Sequence, residues 1–189
     1  LHSREMPEIP TISIVTTVYD RVDCLKACLK SVKRLNFQNY EHLIVADAPP
    51  GDVVEQLKEI VVREGTNRTT FCTLTERYND WGITPASIGL HLSGGKYVCF
   101  LSDDNGYLPD HFDNLVPVLE KGREVGFAYS SCLYAGHRIL NHPRPAPGRI
   151  DLGQPLFRRQ LFDEHLQGKL PFNMMAWDWH MVEAFMRKG

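Results

Sequence analysis

No apolar run in this sequence approaches the length needed to cross a bilayer, and its opening residues do not read as a secretion signal. Excess charge of one sign is missing too: 21 Lys and Arg stand against 23 Asp and Glu, a net −2. That excludes the basic footprint of a nucleic-acid-binding protein and the polybasic face of one that clings to anionic lipid. The five cysteines, Cys24, Cys28, Cys72, Cys99 and Cys132, show no CxxC spacing, and four of them lie in apolar periodic segments. They read as free core thiols of a reducing compartment, so the expected location is cytoplasmic, at most peripheral to a membrane. No GxGxxG follows the first predicted strand, which weakens a dinucleotide reading, and no GxxxxGK[ST] occurs anywhere, which excludes a P-loop. The eight histidines form no i, i+4 pair or carboxylate-spaced cluster that would argue for a zinc site. Internal repeats and low-complexity segments are also lacking.

What is present is an ordinary globular composition: 189 residues, 43% hydrophobic and 23% charged, enough for one domain over 1–189 with a sizeable core. Thr11 to Thr17 reads as a strand, and Leu25, Cys28, Leu29, Val32 and Leu35 mark one face of a helix over about 23–35, capped by Asp20 or Asp23. His42 to Asp47 predicts a second strand, and Asp52 caps a second helix to about Glu64. Thr69 to Leu74 predicts a third strand, and Thr84-Pro85 opens a helix that ends at Gly94-Gly95. Another helix starts at Pro109, with a kink expected at Pro117. Strands alternating with helices over about 120 residues predict an α/β fold, a Rossmann-like and mostly parallel sheet with helices on both faces. The later part is mixed: a strand over Gly126 to Tyr134, a turn at Ala135-Gly136-His137 into a short partner at Arg138 to Asn141, a strand-to-helix element over Leu156 to Phe162, and a helix over Ala176 to Arg187. It predicts a small antiparallel addition. The reading divides the domain into a donor-binding half, about 10–121, and an acceptor and catalytic half, about 122–189.

The chain is organised around Tyr97-Val98-Cys99-Phe100-Leu101-Ser102-Asp103-Asp104-Asn105. Its apolar run is short and rich in β-branched and aromatic residues, as in a strand buried on both faces, and it stops at two adjacent carboxylates. Two carboxylates there repel each other unless a cation sits between them. A hard divalent ion with oxygen ligands, holding a substrate's phosphates against the protein, suits that chemistry; a solvated Asp-Asn-Gly turn is the plainer reading. Ligands of an open parallel sheet bind beyond the carboxyl ends of its strands. Thr17 and Tyr19 follow the first strand, Asp47 the second, and Asp103 and Asp104 the Tyr97 strand, so all five are expected around one crevice. Tyr19 can stack on a base and Asp47 can accept from a base N–H or a ribose hydroxyl. Together they describe a nucleotide-diphosphate pocket without a glycine cradle.

These residues resemble a family. Pro10-Thr11-Ile12-Ser13-Ile14-Val15-Thr16-Thr17-Val18-Tyr19-Asp20-Arg21, followed by Tyr40-Glu41-His42-Leu43-Ile44-Val45-Ala46-Asp47, is similar to the opening of family 2 glycosyltransferases. Gly95 to Asp110 resembles their GxYIxxLDxDDxxxPD segment, with a DXD-type metal motif at Ser102-Asp103-Asp104. Its DDNxYxPD form is similar to the sporulation-coat glycosyltransferase type. The resemblance implies a GT-A nucleotide-diphospho-sugar transferase fold, a nucleotide-sugar donor, most often UDP-linked, and Mn²⁺ or Mg²⁺. It assigns the metal to Asp104 with Asp103, and the donor nucleotide to Thr17, Tyr19, Asp47, Asp103 and Arg77. Two departures stand out: Asp20 replaces the usual Asn, and Ala48-Pro49-Pro50-Gly51 replaces Asp-Gly-Ser.

Inverting members carry a catalytic carboxylate at the start of a late helix, and Asp178 in Trp177-Asp178-Trp179-His180 matches it. Without the resemblance, Asp178 reads as a helix N-terminal charge. Trp177 and Asp151 are candidate acceptor contacts, with core packing the alternative for Trp177. His137 and His142 flank the crevice as candidate third metal ligands or as plain loop residues, and Arg144, Arg149, Arg158 and Arg159 either neutralise phosphates or carry surface charge. The expected protein is a metal-dependent inverting glycosyltransferase that moves a sugar from a UDP-sugar to a carbohydrate or other hydroxyl acceptor. A nucleotidyltransferase and a non-catalytic nucleotide-sugar-binding module of a larger protein are the alternatives.

Overall fold

β1 (Ile12–Val18) alternates Ile12 and Ile14 toward one apolar cluster with Val15 toward another, so it must be covered on both faces. The computed structural model shows how, and describes residues 9–134, 136, 138–140, 142–167, 170 and 176–188. The elements are β1, α1 (Val22–Lys33), β2 (Tyr40–Ala46), α2 (Gly51–Glu64), β3 (Thr69–Thr73), α3 (Ile83–Leu92), β4 (Tyr97–Phe100) and α4 (His111–Lys121). They continue as β5 (Phe127–Tyr129), β6 (Cys132–Tyr134), β7 (Arg138–Leu140), β8 (Pro155–Arg158), α5 (Arg159–Leu166) and α6 (Trp177–Lys188).

The main sheet runs β3-β2-β1-β4-β8-β5. Its first four strands are parallel, with Ile12 level with both Tyr40 and Tyr97; β8 is antiparallel to β4 and to β5. β6 and β7 make a separate hairpin. On one face Cys28 and Val32 of α1, Leu35 just beyond it, and Phe112, Leu115 and Leu119 of α4 pack together, and Leu25 and Leu29 of α1 meet Leu57 and Ile60 of α2. On the other face Ile83, Ala86 and Leu90 of α3, Phe162 of α5 and Met181, Val182 and Phe185 of α6 gather with Val98, Phe100 and Phe157. Helices on both faces of a mostly parallel sheet, with an antiparallel addition, are what the alternation of apolar periods predicts.

Several local expectations are corrected. α1 and α2 have no side-chain cap: Arg21 and Pro50 occupy their N-cap positions, and Asp23 and Asp52 fall inside the first turns. α3 begins one residue before Thr84, and the cap comes from Asp80, which accepts from the Thr84 N–H at 3.0 Å and its hydroxyl at 2.6 Å. The strand expected over Gly126 to Tyr134 splits at Ser130-Ser131, where the Gln154 side-chain amide donates to the Ser130 carbonyl at 2.6 Å and β6 leaves the main sheet for β7. Arg158 and Arg159 are architectural. Arg158 donates to the carbonyls of Leu119, Gly122 and Val125 at the carboxyl end of α4, and Arg159 to those of Gly95 and Leu90. Both lie at the amino end of β4, so neither reaches a phosphate at its carboxyl end. Gly95 is fixed by this crossing, because a Cβ there would stand 2.6 Å from the Ser13 backbone nitrogen.

Cys28 and Cys99 are buried thiols pushed up to about 12, and all five cysteines are unpaired. His42, in the middle of β2, is wholly buried, with its Nε2 2.9 Å from the Thr16 hydroxyl and no partner on Nδ1. Burial pulls its imidazole down to about 3. The unfolded chain therefore takes up this proton first as pH falls below about 6.5, and the folded state loses stability from there downward. Urea unfolding should show His42→Gln losing about 2 kcal/mol less than the wild type between pH 7 and pH 5. Equal losses in the two proteins would mean that His42 titrates normally in the fold.

Candidate active site

β1 is flanked by β2 on one side and β4 on the other, so the carboxyl ends of β1 and β4 border the switch point where an open α/β sheet leaves a crevice. Asp103 and Asp104 arrive there from β4, and Arg21, at the N-cap of α1, arrives from β1. The Arg21 guanidinium donates through Nη2 and Nε to both oxygens of Asp103, the Nε bond at 3.1 Å, and through Nη1 to Asp104. Asp103 is 1% exposed and Asp104 43%. Burial raises the Asp103 carboxyl to about 6 even though Arg21 opposes it. The positive charge that meets both carboxylates here is the Arg21 guanidinium.

That arrangement tests the fit of a divalent ion. The donors are hard carboxylate oxygens, one buried and one open, converging on a point that a positive charge already occupies. Among the described residues no group of three His, Cys, Asp or Glu is assembled. One or two carboxylates with the remaining positions left to water and substrate phosphate is the pattern that suits Mg²⁺ or Mn²⁺, so the residues fit. His142 does not join them: its backbone carbonyl accepts from the Tyr129 hydroxyl at 2.7 Å, and its Nδ1 is 3.4 Å from Arg149. His137 lies outside the described residues.

The nucleotide candidates share one wall, built by the loop over 74–82. Asp47, nearly buried at the end of β2, accepts from the backbone N–H of Tyr78 on Oδ1 and of Asn79 on Oδ2, both at 2.9 Å. Asn79, Trp81 and Gly82 have φ of +51°, +58° and +80°, a left-handed run that folds the loop back over the strand ends. A Cβ on Gly82 would meet the Thr17 hydroxyl at 2.8 Å. The Arg77 guanidinium lies 3.7 Å from the centre of the Tyr19 ring, a cation–π contact. Thr17, Tyr19, Asp47 and Arg77 are therefore neighbours through this loop. Asp47 first holds the loop and has only its remaining lone pairs for a ligand.

Across the crevice stands α6. The Asp178 carboxylate accepts from the Trp179 N–H at 2.8 Å in the first turn, just after Ala176 at φ +63°. Trp177 is 6% exposed, edge-on to Phe100 at 5.6 Å, with its indole N–H directed to the Trp81 carbonyl at 3.3 Å. The ring is core, so its reading as an acceptor contact is corrected: Trp177 ties α6 to the 74–82 loop. Asp151 accepts from the Gly153 N–H at 3.0 Å and from the Asn105 amide at 3.3 Å. Burial raises its carboxyl, the Gly153 bond opposes that, and the charges of Asp178 and Asp104 raise it further. Asp151 thus lies within electrostatic reach of both Asp178 and Asp104, and Asp151 and Asp104 line a cavity of about 830 Å³.

Sequence reasoning did not single out Arg21, Asp80 or Asn105. For Arg21 a signal existed: it follows the first strand directly, in a crevice with two unbalanced carboxylates. For Asp80 and Asn105 the partners are set by loop shape, and the sequence carries no sign of them.

A family model described as glycosyl transferase family 2 matches residues 13–182. The chain is 22% identical over 179 residues to the Escherichia coli K12 protein named as the colanic acid biosynthesis glycosyl transferase WcaA, covering 95% of this chain and 61% of that one. It is 25% identical over 118 residues to an uncharacterized glycosyltransferase of Haemophilus influenzae, covering 62% of this chain and 37% of that one. The mannosyltransferase PcManGT from Pyrobaculum calidifontis, in complex with GDP-Man and Mn²⁺, has the same fold at a TM-score of 0.76 and 16% identity, over 97% of this chain and 54% of that one. S. aureus TarS 1–349 in complex with UDP-GlcNAc matches at a TM-score of 0.71 and 13% identity, over 92% of this chain and 52% of that one. The chain thus spans about half of those solved structures, and these likenesses establish the GT-A fold.

Proposed function

The chain belongs to glycosyl transferase family 2, and on that premise we propose that it transfers a sugar from a nucleotide-diphosphate donor to an acceptor hydroxyl, with inversion at the anomeric carbon. The observation that carries this reading is the Asp103–Asp104 pair converging on one positive charge at the switch point. A UDP-sugar is the first donor to test, with GDP-linked sugars second, and the expected location is cytoplasmic. No helix among the described residues is long and apolar enough to cross a membrane.

In this reading Asp104 and Asp103 hold Mn²⁺ or Mg²⁺, which when bound would stabilise the leaving diphosphate as a Lewis acid. Arg77 and Tyr19 receive the base and ribose beside Thr17, and Asp47 keeps their loop in place. Asp178 takes the proton from the acceptor hydroxyl as that oxygen attacks the anomeric carbon in line. The new glycosidic bond forms as the bond from the anomeric carbon to the diphosphate oxygen breaks. Asp151 orients the acceptor from the far side. The half over 10–121 supplies the donor wall, and the half over 122–189 supplies Asp178 and part of the acceptor side. The deciding assay is nucleotide-diphosphate release from a panel of nucleotide sugars, with and without Mn²⁺. A nucleotidyltransferase would leave the nucleotide sugars intact and release pyrophosphate only from a nucleoside triphosphate supplied with a sugar phosphate, and a binding module would release nothing from either.

Arg21 adds a consequence. It must yield to the ion, so metal binding without nucleotide is in competition with two ion pairs. Arg21 is half-exposed in both pairs, so each is worth about 0.7 kcal/mol, together roughly tenfold in affinity. Electron paramagnetic resonance of Mn²⁺ should show Arg21→Met binding the free ion about ten times tighter than the wild type. Equal affinities would mean that Arg21 and the ion use different sites.

A further inference from the structure

The cavity of about 830 Å³ opens between the Asp103–Asp104 turn, the start of α4 and the Asp151–Gln154 turn. Its charge is one-sided. Asp104, Asp110 and Asp151 line it, and no Lys or Arg does among the described residues. The donor side differs: it carries Arg21, paired with Asp103 and Asp104, and Arg77, beside Asp47. Cations are thus present where a diphosphate would lie, and none lines the cavity where the second substrate would enter.

The rest of the wall is built for hydroxyl groups. His111 stacks on Tyr107 with ring centres 4.2 Å apart, and its Nδ1 lies 3.3 Å from the Ser130 hydroxyl. Its Nε2 is buried without a partner among the described residues. Burial keeps this imidazole neutral, its pKa pulled down to about 4 against the opposing charge of Asp110. Asn105, Asn114 and Gln154 add amides, groups that donate and accept without charge. At the rim Leu108 and Leu133 leave 75% and 65% of their surface exposed.

We infer that this cavity is the acceptor site and that it selects an uncharged or amino-bearing sugar with an apolar aglycone, rejecting acceptors that carry phosphate or carboxylate. The inference rests on the glycosyltransferase reading and adds the class of acceptor to it. An anionic group in the cavity would face Asp110 and Asp151 with no Lys or Arg lining the wall, only Asp104 being paired with Arg21, and would lose its hydration on entry. Neutral hydroxyls find carboxylate acceptors and amide donors, and an ammonium gains charge-assisted bonds. Leu108 and Leu133 would cover the apolar aglycone at the mouth.

The test is a matched set of p-nitrophenyl glycosides: glucoside, 2-amino-2-deoxyglucoside and glucuronide. Binding is read by saturation-transfer NMR with UDP and Mn²⁺ present and absent, and sugar transfer is read by mass spectrometry. The glucoside and the amino sugar should bind at least tenfold more tightly than the glucuronide. Asp110 lines the cavity at the N-cap of α4, makes no capping hydrogen bond and belongs to no catalytic role. Asp110→Lys should shrink the gap to threefold or less, and Asp110→Asn, which leaves the helix start closer to its present state, should shrink it part of the way. A glucuronide that binds as well as the glucoside, a gap untouched by both substitutions, or no binding by any of the three glycosides would overturn the proposal. Because binding is measured without turnover, a charge preference seen without nucleotide release would count against the enzymatic reading and leave the acceptor class standing.

Discussion

Asp178→Asn is expected to fold, to bind nucleotide and Mn²⁺ as the wild type does, and to lose about two to four orders of magnitude in sugar transfer. Asp178 lies in the first turn of α6, where its oxygen accepts the Trp179 N–H at 2.8 Å. Asparagine keeps that carbonyl acceptor and the shape of the side chain, so the expected cost in stability is no more than about 1 kcal/mol. What it loses is the ability to take a proton. Among the described residues its carboxylate bonds to none of Arg21, Asp103 and Asp104, so the donor side is expected to keep its arrangement. Its charge reaches Asp151, which borders the cavity proposed for the acceptor. The measurements are transfer rate, nucleotide affinity by calorimetry and melting temperature on the same preparation. Near-normal transfer by a folded variant would end the assignment, and Asp151 would then be the carboxylate to replace.

Asp47→Ala should weaken UDP binding by about a hundredfold and lower the melting temperature by about 5–10 °C, with the preferred metal unchanged. Hydrogen bonds to a charged group are worth about 1.5–3 kcal/mol each, and Asp47 accepts two from adjacent backbone N–H groups. Without it, Tyr78 and Asn79 have no reason to stay in the left-handed turn that presses Gly82 against Thr17 and lays Arg77 on Tyr19. The loss is thus both direct and through the loop. Calorimetry giving wild-type UDP affinity, together with an unshifted melting curve, would show that the nucleotide lies away from this wall.

How far the site was legible from sequence differs from residue to residue. Asp103 and Asp104 could be named because a buried apolar run that stops at two carboxylates is unusual, and because a parallel sheet sends ligands to its carboxyl ends. Thr17, Tyr19 and Asp47 followed from the same rule. Trp177 could not be settled that way, since an aromatic beside a candidate base reads equally as a sugar platform or as core. Only the edge-on contact with Phe100 and the bond to the Trp81 carbonyl decide for core. Arg158 and Arg159 were ambiguous for a similar reason: a cation near a loop has no address until its carbonyl partners are known.

By itself the sequence determined the parallel sheet and its covered faces, because hydrophobic period is a local property and the β1, β2 and β4 runs are apolar on both sides. It also placed Asp47, Asp103 and Asp104 at the carboxyl ends of strands, since strand ends are fixed by those same runs. The tertiary structure alone decided that β8, from late in the chain, sits between β4 and β5 and that the strand after Gly126 divides in two. It alone placed Arg21 as the cation between Asp103 and Asp104, and Asp47 as the anchor of the 74–82 loop. Each of these depends on a partner far away in sequence, 82 residues for Arg21 and Asp103. No local pattern encodes such a pairing, because its energy exists only once the folded sheet has brought the two ends together.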